Sequence, residues 1–439
     1  MKLVCLSDDY VDYLFDNLER MYYPFKNDGF NMSFAKIDNQ RELYTFRNVI
    51  TFKSLYDKNN NKGKRYVPGL EPRQNALAND FYVESDFSDN FIWSWKYYYE
   101  VYIFFVGNLQ EDGHIKIDRK VKPEALLNPY YIYNLPKRYR ESFPTGTRLM
   151  KREDFRIYNI KGKLFMMDSM INTLSEIKVE KDKIILSGRK MAKYQGICEY
   201  NEEKEAENKA KGIEKYYKIF EKNWSLYKFA FVDKKPTFYF FHDYSEEGLE
   251  SVSYNREGCQ KSILIKYKGD TVPYDNNAFA RFSFGSTILM DGDYCYGVGH
   301  TKFLLKKPKS EIEKKFNRLK KMADVIHTEM RKIFKSKYKV HREKMYGYYF
   351  FRYNAKKKEF LISDTFIPLI MCNDYIFSLC FPMSIVSKHR HFYVSMGYGD
   401  YTNVMARYTK DEIDKSLVHD IENFKLSTYK VTVTYEDSK

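Results

Sequence analysis

Residues Lys151–Asp168 read KREDFRIYNIKGKLFMMD. A charged cluster, Glu153-Asp154-Phe155-Arg156, precedes a short apolar run, Ile157-Tyr158. A polar turn, NIKGK, then leads into a second apolar run, Leu164-Phe165-Met166-Met167. Apolar and aromatic runs of this length, separated by a turn containing Gly162, predict a β-hairpin. The carboxylates and arginine at its entrance are either a solvated strand start or acid chemistry at the mouth of a pocket.

The same pattern recurs along the chain. Phe34-Ala35-Lys36-Ile37 turns through DNQR into Leu43-Tyr44-Thr45-Phe46. Tyr227 to Val232 turns through DKKP into Phe238-Tyr239-Phe240-Phe241. Thr287-Ile288-Leu289-Met290 turns through DGD into Tyr294-Cys295-Tyr296, and Ser384-Ile385-Val386 turns through SKHR into Phe392-Tyr393-Val394. The recurrences begin near positions 31, 154, 223, 285 and 382, the second to fourth roughly 60 to 70 residues apart. A β unit repeated in this way and closed on itself is a propeller, which leaves only short, protected edges. The expectation is therefore an all-β, five-bladed β-propeller formed as a single domain over residues 1–439. It carries insertions at about 53–89 and 305–340. The later insertion contains a helix over 310–337 with Phe316, Leu319, Met322, Ile326, Met330 and Ile333 on one face. A second, charged surface helix is expected over 201–219.

Composition narrows the function classes. The 439 residues include 44% hydrophobic residues, enough for a sizeable core, and 41 Tyr and 34 Phe. The formal charge of +15 suits an anionic partner. Basic runs such as Lys306-Lys307-Pro308-Lys309 fall in apparent loops, and no nucleic-acid module organises them, so no specific nucleic-acid partner is expected. The six cysteines form no CxxC pair, which argues against a zinc ribbon or a disulfide framework. His389 and His391 lie in a basic turn with too few companions for a metal site, and no metal is expected. No nucleophile elbow, phosphate loop or dinucleotide fingerprint stands out. The N-terminus meets Asp8 and Asp9 after a very short apolar run, unlike a signal peptide, and no apolar run approaches the ~18 residues of a membrane span. A soluble, cytoplasmic protein is the expectation.

In a propeller the inner strands line a central funnel, so polar residues at their starts are the pocket candidates. These are Asn31, Ser33 and Arg47; Glu153, Asp154 and Arg156; Asn223 and Ser225; Ser286, Thr287 and His300; and Asp400. Each has an ordinary structural reading beside the functional one. The Glu153–Arg156 cluster could be a salt-bridged strand start, Arg47 an ion-pair partner of Asp154, and His300 a loop hydrogen-bonder. Trp224 is more at home in a core than as a sugar platform.

Several of these stretches resemble a known family. Glu153-Asp154-Phe155-Arg156 with Tyr158 to Leu164 resembles the E-D-P-R-x-(F/Y)-x-x-x-G-x-L-Y signature of five-bladed carbohydrate-active propellers. Lys222-Asn223-Trp224-Ser225 resembles the K-N-W-(S/T)-P that opens their next blade. Gly285-Ser286-Thr287 with Gly297 to His300 resembles G-G-(S/T)-P and G-x-x-H, and Ser395 to Asp400 resembles the final S-x-G-x-x-D. The order agrees over roughly residues 30 to 410, and the group is glycoside hydrolase family 130, the β-mannoside phosphorylases and hydrolases, with related mannosyltransferases. The Lys/Asn/Tyr-rich composition would suit a member from a large DNA virus, acting in the host cytoplasm or virion.

The resemblance implies an enzyme that hydrolyses, phosphorolyses or transfers β-linked sugars, with an oligosaccharide as partner. It implies no cofactor beyond inorganic phosphate as a possible co-substrate. Asp154 matches the general acid, with Glu153 beside it as a carboxylate that would favour its protonated form. Arg47, Arg156 and His300 match positions for phosphate or substrate, and Asn223 and Asp400 positions for sugar hydroxyls. Phe155, Leu226 and Met32 depart from the family's prolines, and later blades lack a full set of arginines. The alternative is a propeller without turnover that binds glycans or serves a structural role in a virion.

Overall fold

A computed structural model describes residues 2–6, 25–52, 91–95, 98–123, 154–168, 173–187, 223–255, 258–269, 280–304, 344–372, 375–377, 380–398, 402–425 and 427–436. The expected insertions at 53–89 and 305–340 and the expected helices over 201–219 and 310–337 lie outside these residues, as do Glu153 and Asp400.

The described chain is nearly all β, in five sheets. The first contains Phe25–Lys36, Glu42–Phe52, Phe91–Trp95, Tyr98–Leu109 and Ile115–Lys120. The second contains Lys122–Pro123, Arg156–Ile160, Lys163–Asp168, Thr173–Glu180 and Lys183–Leu186. The third is a four-stranded antiparallel meander: Ser225–Val232, Lys235–Tyr244, Gly248–Asn255 and Gly258–Lys266. The fifth joins Cys380–Lys388, His391–Tyr398 and Thr402–Thr409 to the N-terminal strand Lys2–Leu6.

The hairpins form where alternation and turn chemistry agree. In the second sheet Arg156 pairs with Met167 and Ile160 with Lys163. The turn between them puts Lys161 and Gly162 at positive φ, the left-handed geometry that matches hairpin twist. Asp233-Lys234 and His389-Arg390 turn in the same way, which accounts for polar residues where apolar runs break off.

Neighbouring sheets share apolar cores. Ala35, Leu43 and Phe104 of the first sheet pack with Ile157 and Met166 of the second. Phe165 and Met167 pack with Leu226 and Phe238 of the third. Phe241 and Tyr244 pack with Phe284 and Tyr349 near and in the fourth, and Val298 and Phe350 with Ile385 and Val394 of the fifth. Hydrogen bonds at the first strands complete the circuit. Ile157 N donates to Ser33 Oγ at 3.0 Å, and Arg156 Nη2 to Asn223 Oδ1 at 3.1 Å. Ser225 Oγ donates to Ser286 O at 2.7 Å, Ile385 N to Thr287 Oγ1 at 3.2 Å, and Phe34 N to Ser384 Oγ at 2.9 Å. The sheets thus succeed one another in a ring, and the all-β propeller expected from the recurrences is the fold.

Five equal blades are not what the chain builds. The fourth sheet has nine strands. Beyond Leu289–Asp291, Tyr294–Leu304, Lys344–Asn354 and Glu359–Ile362 it gathers Ala280–Ser283, Thr365–Cys372, Tyr375–Phe377, His419–Asp420 and Val431–Glu436. The last of these runs parallel to Thr365–Cys372. C-terminal residues return to this sheet, so it outgrows a simple hairpin repeat.

The one helix among the described residues, Lys410–Ser416, follows the last long strand. Its start is a capping box between Thr409 and Glu412. Asp414 anchors it to the fourth sheet, accepting from Tyr296 Oη and Arg352 Nη1, both at 2.8 Å, and from Lys410 Nζ at 2.7 Å. Burial pushes the Asp414 carboxyl up, but hydrogen bonds from Lys410 and Tyr296 and the charges of Lys410 and Arg352 outweigh it and hold the group below the usual carboxylate range. That stability is present above the unfolded value of about 3.9 and is lost as pH falls through the lower folded value. Asp414→Asn is expected to cost about 1–2 kcal/mol at pH 7. In urea unfolding, the gap between variant and wild type should narrow at pH 3; a gap of the same size at both pH values would show that the charge is not what anchors the helix.

Candidate functional site

One local design recurs at the bulge within Phe25–Lys36 and just before the strands that begin at Arg156 and Ser225. Asn31, Asp154 and Asn223 each lie in the left-handed region, with φ of 56°, 55° and 76°. Short polar side chains tolerate that conformation better than other non-glycine residues. Each is followed by a large buried residue, Met32, Phe155 or Trp224, and then by a fully buried polar one, Ser33, Arg156 or Ser225. The second of each trio is core: Met32, Phe155 and Trp224 are each at most 2% exposed. At the matching positions of the fourth and fifth sheets stand Thr287 and Ser384, so Arg156 is the one guanidinium where its four counterparts carry hydroxyls. The hydroxyls bind the backbone or a hydroxyl of a neighbouring sheet. Arg156 reaches the next left-handed residue, Asn223, with Nη2.

Asp154 is buried, 7% exposed. Its Oδ1 accepts from Asn31 Nδ2 at 2.7 Å and lies 3.9 Å from Arg47 Nη1. Arg47 is on the strand Glu42–Phe52, in register opposite Phe30, beside the bulge that carries Asn31. Its ion pairing with Asp154 is the structural role that the sequence allowed for it, though 3.9 Å is long for a tight pair.

Arg156 is wholly enclosed, and its Nε and Nη1 have no acceptor among the described residues. Burial pulls its pKa down, opposed by the Tyr158 hydroxyl and the Asp154 carboxylate. An arginine starts so high that it stays charged. A buried cation with two such nitrogens, which carry three N–H groups between them, is costly, and an anion would meet that need.

Of the residues singled out in the sequence, Arg47, Asp154, Arg156 and Asn223 are linked by these contacts, with Asn31 joining them. His300 lies on the strand Tyr294–Leu304. Its ring packs 4.8 Å from that of Phe381 and 5.9 Å from that of Tyr346, next to Gly285. Trp224 is core, 1% exposed, with its ring 5.5 Å from that of Phe240.

Two features escaped the sequence reading. One is the bond from Asn31 to Asp154, which spans 123 positions of chain. The other is His242, buried against Trp224 at 5.2 Å between rings, with Nδ1 2.7 Å from Glu250 Oε2. The hydrogen bond from His242 is the main cause that holds the Glu250 carboxyl below its usual range. A histidine on an otherwise aromatic strand, FYFFHDY, was the available signal.

No family model matches the chain, and no curated protein does. Among solved structures it is similar to a β-1,2-mannobiose phosphorylase from Listeria innocua, at 9% identity over 95% of this chain and 99% of that one, with a TM-score of 0.43. A family 130 glycoside hydrolase that targets β-1,2-mannosidic linkages in Candida mannan gives 12% identity over 88% and 85%, with a TM-score of 0.41. A mannose phosphorylase from Leishmania mexicana, solved with phosphate, gives 7% over 95% and 98%, with a TM-score of 0.33. These scores are too low for the likenesses to establish an activity.

Proposed function

We propose that the chain is a carbohydrate-active propeller that cleaves β-linked mannosides, with Asp154 as the general acid. The observation that carries this reading is the buried carboxylate of Asp154, on a residue in left-handed geometry just before its strand and held beside Asn31 and Arg47. The ordered motifs from Asn31 to Asp400 support it.

In the proposed reaction the protonated Asp154 gives its proton, through a sugar hydroxyl, to the glycosidic oxygen. The bond from that oxygen to the anomeric carbon breaks onto the oxygen, and an oxygen of water or phosphate takes its place. Water needs a base to activate it, whereas phosphate is already anionic. The N–H groups of Arg156 that have no acceptor among the described residues support phosphate as the incoming group.

The test is incubation of β-linked manno-oligosaccharides with and without phosphate. Mannose 1-phosphate as product supports phosphorolysis, and free mannose supports hydrolysis. Binding without turnover would favour the non-catalytic glycan-binding reading, and a wild-type chain that neither binds nor cleaves them would sink both.

A further inference from the structure

We infer that the opening hairpin of the third sheet is a wedge that docks the ring on an anionic lipid bilayer, a function that stands apart from the reading of Asp154. The opening hairpins of the five sheets begin at the matching positions Ser33, Arg156, Ser225, Thr287 and Ser384, and they differ in how far they run before turning. From Ser33 the last paired residue is Lys36, from Arg156 it is Ile160, from Thr287 it is Asp291 and from Ser384 it is Lys388. From Ser225 it is Val232, with one of the extra residues taken up by the bulge at Tyr227. The third hairpin therefore outreaches its counterparts by two residues or more, about 7 Å of strand.

The residues that project are apolar. Phe231 is 58% exposed and Val232 43%. Among the described residues the other large apolar side chains so open to solvent are Ile263, Met290 and Val418, each standing alone in the chain. Phe231 lies opposite Pro236 and Val232 opposite Lys235, so their side chains leave opposite faces of the strand. A groove on a protein would cover one face, whereas a bilayer surrounds the whole tip. The ring of Phe231 meets that of buried Phe229 edge-on at 5.4 Å, which gives the wedge a rigid root. Its turn, Asp233-Lys234, is left-handed at both residues, the two-residue form that matches hairpin twist.

Charge selects the lipid. Lys234 and Lys235 are exposed at the tip beside one carboxylate, Asp233. Lys161 is exposed at the turn of the second sheet, with which the third shares a core. The whole chain carries +15. Acidic headgroups attract such lysines while the apolar side chains enter the acyl boundary, about 5–10 Å deep. The strand Ser225–Val232 starts beside Asn223 and ends at the wedge. A docked ring therefore turns Asn31, Asp154 and Asn223, which contacts between sheets hold at the other end, toward the water.

The experiment is co-sedimentation with phosphatidylcholine vesicles, with and without phosphatidylserine. It compares wild type with two double variants, Phe231→Ser with Val232→Ser and Lys234→Gln with Lys235→Gln. All four positions are exposed, so both variants should keep the wild-type Tm. Wild type is expected to bind the phosphatidylserine vesicles, and each double variant to bind them about 10-fold more weakly or worse. An indole placed at the tip by Phe231→Trp should be quenched by brominated acyl chains. Wild type that ignores both kinds of vesicle, or binds them no better than the variants do, overturns the wedge. Vesicle binding without quenching would be surface attraction of a basic protein, and overturns insertion. Self-association without lipid, abolished by Phe231→Ser with Val232→Ser, would give the tip to a second copy and overturn the proposal.

Discussion

Asp154→Asn is expected to lower turnover of a manno-oligosaccharide by about 10²–10⁴-fold, with little change in thermal stability. Asparagine has the same shape and accepts the left-handed backbone as aspartate does. Its amide oxygen can still accept from Asn31, so the local fold survives. What it cannot supply is an acidic proton. The loss should fall on kcat more than on KM, because the interaction removed belongs to the transition state. Wild-type turnover by this variant would remove Asp154 from the mechanism. A collapse of stability, with turnover lost only in proportion to unfolding, would instead make Asp154 the structural partner of Arg47.

Lys388→Met is expected to cost about 3–5 kcal/mol of stability. Lys388 lies on the fifth sheet and Glu42 on the first, both buried, with Nζ and Oε1 2.6 Å apart. Every polar group there is used. Lys388 also donates to Gln40 O and Asn108 Oδ1, both at 3.1 Å. Glu42 Oε2 accepts from Leu109 N at 2.9 Å and Tyr44 Oη at 3.2 Å. Methionine fills the space of the stem but strands a buried carboxylate, and that unpaired charge makes up most of the cost. Adding Glu42→Gln should therefore recover a large part of the loss. Equilibrium unfolding of the two single variants and the double one measures the coupling. A cost below about 1 kcal/mol for Lys388→Met, typical of an exposed pair, would show that this latch does not hold the ring.

The hairpins were legible because alternation and turn residues coincide within short spans. Phe34 to Phe46, Arg156 to Met167 and Ser384 to Val394 all pair as their sequences imply. The nine-stranded sheet was not, because Val431–Glu436 joins Thr365–Cys372 by a parallel pairing that no turn announces. The short helix Lys410–Ser416 is too brief to show apolar periodicity, although Thr409 and Glu412 carry a capping box three residues apart. The site was legible one residue at a time. Asp154, Arg156 and Asn223 stood out as charge or amide at strand starts. The geometry that gives them meaning lies in contacts between sheets, such as Asn31 with Asp154, which leave no local pattern.

The N-terminal strand Lys2–Leu6 pairs with Thr402–Thr409, Lys2 opposite Arg407. In an unstructured chain, joining segments about 400 residues apart would carry a length-dependent entropy cost of about 5 kcal/mol. Intervening sheets that already stand in a ring bring the two ends together and remove most of that cost. Asn403, across from Leu6 in that same pairing, is the residue that holds Met32. The strand that receives the N-terminal residues is therefore also the one that grips the peptide next to Asn31.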